Sequence, residues 1–255
     1  MEYQQELDFA RGLAIGAGQL LMKYFGSISA PKFLSQVKGV VAEVDYLADN
    51  HIREAIRKNY PNHGIMSEEA DFDRDVEYLW VADALDGTIN FVRRKRDFAV
   101  TLALTQKGKP VVGVTYLPAT QEEFYAVINQ GTHFNNLPIR VSEVERLQDA
   151  VVNIETNFFK FPENIAVRDQ LTPRAGRIHA LNSSALELGY VASGRSDACV
   201  YFGPSPELAP GALLVQEAGG KVTDVNGRPY TLKSNSIIAS NGKIHQELEA
   251  LLQCL

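Results

Sequence analysis

The chain has 255 residues, 45% of them hydrophobic and 22% charged, enough to bury a sizeable core in one large or two smaller domains. No apolar stretch approaches the roughly 20 residues that a membrane-spanning helix requires. A formal charge of −6 argues against a dedicated nucleic-acid binder, and two cysteines, Cys199 and Cys254, are too few for a disulfide framework.

In chain order, the polar opening Met1-Glu2-Tyr3-Gln4-Gln5-Glu6 has neither the basic nor the apolar region of a secretion signal, so a soluble cytoplasmic protein without membrane partners is expected. The spacing of Leu7, Ala10, Ala14, Ala17, Leu21 and Tyr24 predicts an amphipathic helix over about 2–25, with Gly26 beyond its end. Gly16-Ala17-Gly18 inside it predicts close helix packing, because no strand precedes it and no third glycine completes a dinucleotide loop. A second helix is predicted over about 44–59. Strands follow at 64–66, 78–82, 98–104, 111–116 and 123–127, separated by turns such as Lys107-Gly108-Lys109-Pro110. The second half offers a strand at 151–154 and helices at 184–193 and 207–218. Strands and helices that alternate without internal repeats predict a layered α/β or α+β fold, divided near residue 145 into halves 1–145 and 146–255.

The most informative stretch is Asp83-Ala84-Leu85-Asp86-Gly87-Thr88-Ile89-Asn90-Phe91, directly after the apolar run 78–82. It reads as a buried strand delivering two carboxylates, a turn glycine and a hydroxyl to one point. Mg²⁺ takes oxygen ligands, usually one or two carboxylates plus phosphate oxygens, and N–H groups opening a helix suit an anion. The segment is therefore read as a metal-plus-phosphate site, with Asp83 and Asp86 sharing a turn. Arg93-Arg94-Lys95-Arg96 follows closely, either at the mouth of the site, where it attracts anions, or as a hydrated loop. No interleaved aromatic platform accompanies it, so a nucleic-acid partner is not expected. The five histidines show no pairing at metal-ligand spacing.

Trp80, Asp83, Asp86, Gly87, Thr88, Asn90 and Phe91 resemble the Trp-x-x-Asp-Pro-x-Asp-Gly-Thr-x-Asn-Phe signature of the inositol monophosphatase family, Ala84 standing where proline is usual. Ser67-Glu68-Glu69 is similar to the Gly-Glu-Glu found upstream in that family. Pro206-Glu207-Leu208-Ala209-Pro210-Gly211 and Glu217-Ala218-Gly219-Gly220 are similar to its Trp-Asp-x-Ala-Ala-Gly and Glu-Ala-Gly-Gly elements. The matches fall in family order along almost the whole chain. They imply a layered αβαβα sandwich of the inositol monophosphatase and fructose-1,6-bisphosphatase type, and a homodimer.

The resemblance also implies roles. Glu68, Asp83 and Asp86 hold Mg²⁺ with the carbonyl of Leu85, two ions or three in all, and Glu68 and Thr88 orient the attacking water. Gly87 and Thr88 give backbone N–H groups to the phosphate, beside Asp86. Glu207 stands at the position of an aspartate that binds a further metal and contacts substrate; with one more methylene it serves either there or as an electrostatic cap of the following helix. Asp45 closes an eroded Asp-x-Val-Thr-x-x-Asp loop, in which Gly39 and Ala42 replace the first aspartate and the threonine. Asn182, Ser183 and Ser184 correspond to a Gly-Ser/Thr-Ala element contacting the leaving group, and Tyr201 to a glutamate that binds inositol hydroxyls. The implied protein is a Mg²⁺-dependent phosphomonoesterase of a small phosphorylated metabolite other than inositol monophosphate, acting through in-line attack of water. Histidinol phosphate, fructose 1,6-bisphosphate and a nucleotide 3′-phosphate are alternative substrates. A catalytically weakened binding or regulatory protein is the other reading, on the changes at Gly39, Ala42, Ala84, Glu207 and Pro210.

Overall fold

In the computed structural model the described residues are 2–27, 37–67, 76–203 and 206–253. Helix α1 (Gln4–Tyr24) buries Leu7, Ala10, Ala14, Ala17 and Leu21 on one stripe, and Gly26 follows its end at φ 82°. Its glycines act as expected. A Cβ on Gly16 would stand 2.9 Å from His51 Nε2, and one on Gly18 would stand 2.8 Å from the Tyr116 ring. Helix α2 (Val37–Asn59) starts well before the predicted residue 44, so Gly39, Ala42 and Asp45 are helical rather than loop residues. The buried series Val41, Val44, Ala48, Ile52 and Ile56 keeps helical spacing straight through that region. Gly39 lies on the exposed side of the helix, where a glycine costs only about 1 kcal/mol.

The first sheet contains β1 (Gly64–Ser67), β2 (Tyr78–Asp86), β3 (Ala99–Gln106), β4 (Lys109–Leu117), β5 (Glu122–Val127), β6 (Thr132–Phe134) and β7 (Leu137–Ile139), ordered as in the chain. Only β1 and β2 run parallel in it. Between β2 and β3 lies the short helix α3 (Thr88–Val92). Four further helices are α4 (Glu163–Leu171), α5 (Ser184–Ala192), α6 (Ala209–Glu217) and α7 (His245–Leu252). The second sheet is ordered β11 (Lys221–Thr223), β12 (Ser236–Ser240), β10 (Ala198–Phe202), β8 (Val151–Ile154) and β9 (Arg177–His179).

Each sheet buries both faces, because its strands alternate apolar side chains to two different cores. Val100, Leu102 and Leu104 of β3 join the core beneath α1 and α2. The opposite face meets α5 and α6, whose Leu186, Leu188 and Leu213 also cover Cys199 and Tyr201 of β10. Val200 and Val152 turn outward to α4 and α7. The layers are thus α1/α2, first sheet, α5/α6, second sheet, α4/α7, and the middle helix layer places two helix N-termini beside the end of β2.

Candidate metal and phosphate site

Strand β2 carries the apolar run on through Asp83 to Asp86, so these two carboxylates lie at a strand end and not in a turn as the sequence predicted. In a regular strand, residues three apart face opposite ways. Here Asp83 pairs with Thr101 and Asp86 with Ala99, so β2 holds one extra residue, and this bulge turns both carboxylates toward one side. Asp83 Oδ1 accepts the Leu85 N–H at 2.9 Å, and Thr88 Oγ1 donates to the Leu85 carbonyl at 3.1 Å. Gly87 then opens α3 at φ 86°, where a Cβ would stand 2.8 Å from the Asp97 carbonyl and 3.2 Å from Ser183 Cβ. Gly87→Ala is therefore expected to lower stability by roughly 1–3 kcal/mol, read from denaturant midpoints, and an unchanged midpoint would reject the strain argument.

Asp86 also reaches the N-terminus of α5. Its Oδ2 accepts from Ser183 Oγ at 2.5 Å and Ala185 N at 2.9 Å, and its Oδ1 from Ser184 N and Oγ, both at 3.3 Å. Ser183, the residue before α5, makes no capping bond of its own. The cap comes from a side chain 97 residues away in sequence. Asn90 joins the same two segments: its buried amide donates to the carbonyls of Asp97 (2.6 Å), Leu181 (2.7 Å) and Asn182 (3.3 Å). Asn182 holds φ 57°, a conformation asparagine tolerates, and its Oδ1 accepts from Thr156 Oγ1.

Behind this turn lies Glu187, 4% exposed, which sequence reasoning passed over. Its Oε1 accepts the Leu181 N–H at 2.6 Å, and Cys199 Sγ lies 3.8 Å from Oε2. The available signal was a single acid in the otherwise apolar run Ala185–Ala192. Burial pushes its carboxyl up to about 8, with help from the charges of Asp86 and Glu155 and against the pull of the Leu181 and Asn182 N–H groups. The unfolded chain would release this proton near 4.5. Stability from this group is thus fully present below 4.5 and declines as pH rises through about 8. Glu187→Gln is expected to flatten that decline, measured as Tm at both ends of the window. An equal slope in the variant would overturn the assignment.

Three further acids stand near Asp83. Its carboxyl is held well above the usual range, first by burial and then by the charges of Asp86, Glu207 and Asp45. Burial likewise raises Asp86, against the hydrogen bonds from Ser183, Ala185 and Ser184. Glu207 occupies a 3₁₀ turn, Pro206–Leu208, and α6 begins at Ala209 with Pro210 in its first turn, as the missing proline N–H allows. Its charge also raises the Tyr230 phenol, after the larger effect of burial. Asp45 reaches the group from α2.

Among the described residues no three His, Cys, Asp or Glu side chains already form a metal-holding set. Glu68 and Glu69 lie outside the described residues, one step past Ser67, which pairs with Ala82 beside Asp83. Ser67 Oγ is buried and finds no hydrogen-bond partner among the described residues. Mutually repelling carboxylates, with an orphaned hydroxyl at the adjoining strand end, are a donor set of oxygens only. That chemistry fits a hard cation such as Mg²⁺.

Tyr201 lies buried on β10, with its ring edge-on to Phe161 at 5.3 Å. A phenol at this position brings no fixed negative charge to accept sugar hydroxyls.

The inositol monophosphatase family model matches residues 2–255. A Thermotoga maritima protein named fructose-1,6-bisphosphatase/inositol-1-monophosphatase is 37% identical, over 95% of this chain and 93% of its own. The Nus factor SuhB of Pseudomonas aeruginosa is also 37% identical, over 98% of this chain and 96% of its own. Among solved structures, the inositol monophosphatase from Anabaena (Nostoc) sp. PCC 7120 superposes with a TM-score of 0.89 at 32% identity, over 100% of this chain and 98% of that one.

Proposed function

Since the chain belongs to the inositol monophosphatase family, we propose that it is a Mg²⁺-dependent phosphomonoesterase of a small phosphorylated metabolite. The observation that carries this reading is the group of Asp83, Asp86, Glu207 and Asp45, whose repulsion is felt at Asp83, beside the Gly87 turn. Like charges so close are costly unless a cation or a proton offsets them.

Asp83, Asp86, Glu207 and the Leu85 carbonyl, together with Glu68, would hold the Mg²⁺, two ions with Asp45 available to a third. The metal supplies charge neutralisation on the phosphate, a more acidic water and stabilisation of the leaving oxygen. Gly87 and Thr88 offer N–H groups to the phosphate where α3 opens. The Thr88 hydroxyl, fixed on the Leu85 carbonyl, and Glu68 orient water for in-line attack. Asn182, Ser183 and Ser184 border the leaving group. Their turn is held by Asn90 and Glu187. Tyr201 disfavours inositol, because the site lacks a carboxylate there.

A phosphate-release screen with a Mg²⁺ titration by calorimetry tests the reading. Release that depends on Mg²⁺, with an ester other than inositol 1-phosphate preferred, is expected. Highest efficiency on inositol 1-phosphate overturns the substrate assignment. Mg²⁺ binding without turnover on any ester supports the second reading, a non-catalytic factor, which the relatives named Nus factor SuhB favour. A cytoplasmic homodimer is part of the proposal and is checked by sedimentation.

A further inference from the structure

We propose that Glu155, at the end of β8, is the acceptor that reads the leaving group's hydroxyls, and that this leaving group is an open-chain polyol; this rests on the phosphatase reading above. Strands β8 and β10 run parallel, with Ala198 beside Val152, Cys199 beside Asn153 and Val200 beside Ile154. One further step in the same register puts Glu155 next to Tyr201. Tyr201 stands where the family resemblance implies a glutamate that binds inositol hydroxyls. The carboxylate absent from β10 is thus present one strand away, about 4.8 Å to the side.

Glu155 also lies on the required face. Side chains of β8 alternate between two cores: Val152 and Ile154 turn toward α4 and α7, while the Asn153 amide donates to the Glu187 carbonyl of α5 at 3.5 Å. Glu155 shares the Asn153 side, where its charge is felt by Glu187 and Cys199. The next residue, Thr156, donates to Asn182 Oδ1 at 3.0 Å, which ties the end of β8 to the turn bordering the leaving group.

The two neighbours differ in access. Tyr201 is 7% exposed beneath the Phe161 ring, and that ring packs so tightly on Gly203 that a Cβ there would stand 2.4 Å from it. Glu155 is only half-buried. Its Oε1 accepts the Asn157 N–H, which fixes the carboxylate at the strand end, and among the described residues Oε2 has no partner. A charge here adds to the repulsion on Glu187 and makes no ion pair among the described residues, so it brings the fold nothing that glutamine would not. A substrate hydroxyl, by contrast, gains a charge-assisted bond, roughly twice as strong as a neutral one. Ring hydroxyls are fixed in place and suit one acceptor position. Rotation about its C–C bonds lets a chain bring a hydroxyl to the displaced carboxylate.

The test compares glucitol 6-phosphate with n-hexyl phosphate, the same carbon chain with and without hydroxyls. The wild type is expected to favour the glucitol ester by about tenfold or more in kcat/KM. Glu155→Leu should lower that ratio about tenfold, through KM on the glucitol ester. No preference in the wild type, or an unchanged ratio in the variant, overturns the assignment. Glu155→Gln keeps an acceptor for the Asn157 N–H and covers a failure of the leucine protein to fold. In it a ratio lowered by about threefold or more supports Glu155, and an unchanged one rejects it. If neither ester is hydrolysed, the phosphatase reading fails separately. Calorimetric binding of glucitol 6-phosphate in the presence of Mg²⁺ then decides: a weakening of about tenfold in Glu155→Leu supports the subsite, and unchanged or undetectable wild-type binding overturns it.

Discussion

Asp86→Asn is expected to reduce phosphate release by about 10²–10³-fold or more while leaving the protein folded. The loss follows from removing the charge that faces both Asp83 and the α5 N-terminus, where metal and phosphate are proposed to meet. The fold survives for a physical reason visible in the hydrogen bonds. The amide oxygen of asparagine can still accept the Ala185 N–H and the Ser183 hydroxyl, the Ser184 hydroxyl can rotate to accept from its NH₂, and only the long 3.3 Å contact from Ser184 N is lost. Burial raises the Asp86 carboxyl, so a neutral side chain also removes a desolvation cost. Asp86→Ala differs, since it strips the cap from α5 and should cost about 1–2 kcal/mol. Thermal melts separate metal binding from capping. Added Mg²⁺ should raise the Tm of the wild type, because binding to the native state stabilises it, and should leave the Asn variant unchanged. Full activity in Asp86→Asn, or an equal Mg²⁺ shift in both proteins, removes Asp86 from the metal site.

Much of this architecture was legible because local pattern and tertiary demand agree. The stripe of α1 follows from one face meeting one core, and the near-continuous apolar runs of β3 and β4 from strands buried on both faces. Most of the failures trace to contacts made by packing. Helix α2 starts earlier than expected: residues 39–45 resemble a family loop, while Val41 and Val44 are held by a distant core. The bulge between Asp83 and Asp86 depends on registry with β3, which no local spacing encodes. Asp86 as a cap for α5 is a contact between segments 99 residues apart, whereas Glu187 anchors Leu181 from only six residues away, and there it is the burial of the acid that no local pattern encodes. Arg93 to Arg96 were visible as charge, but their return to Gly87 follows from the positive φ of Arg94 and the grip of Asn90 on Asp97.

Asn90→Ala should be the most damaging test of that junction, lowering stability by about 3 kcal/mol. One amide serves the carbonyls of Asp97, Leu181 and Asn182, and at 2% exposure water cannot replace it. Each orphaned buried acceptor costs roughly 1–3 kcal/mol, and local relaxation recovers part of the sum. Activity should fall beyond what unfolding explains. Asp97 touches Gly87, and Asn182 leads into the serines that hold Asp86, so losing the link lets the phosphate turn and the α5 N-terminus drift apart. A displacement of that kind acts on kcat, since reacting groups misplaced by even 1 Å can cost about a hundredfold. Asn90→Asp keeps the shape but turns a carboxylate toward three carbonyls. Its neutral form is the one the folded state prefers, so its folded-state pKa lies above the unfolded value. Stability is then greatest at low pH and lost as pH rises through the folded value, a slope the wild type lacks at this position. Urea midpoints of both variants across pH, set beside kcat at saturating substrate, read out the two effects. A midpoint for Asn90→Ala within about 0.5 kcal/mol of the wild type would mean that α3 and the segment before α5 are held together elsewhere.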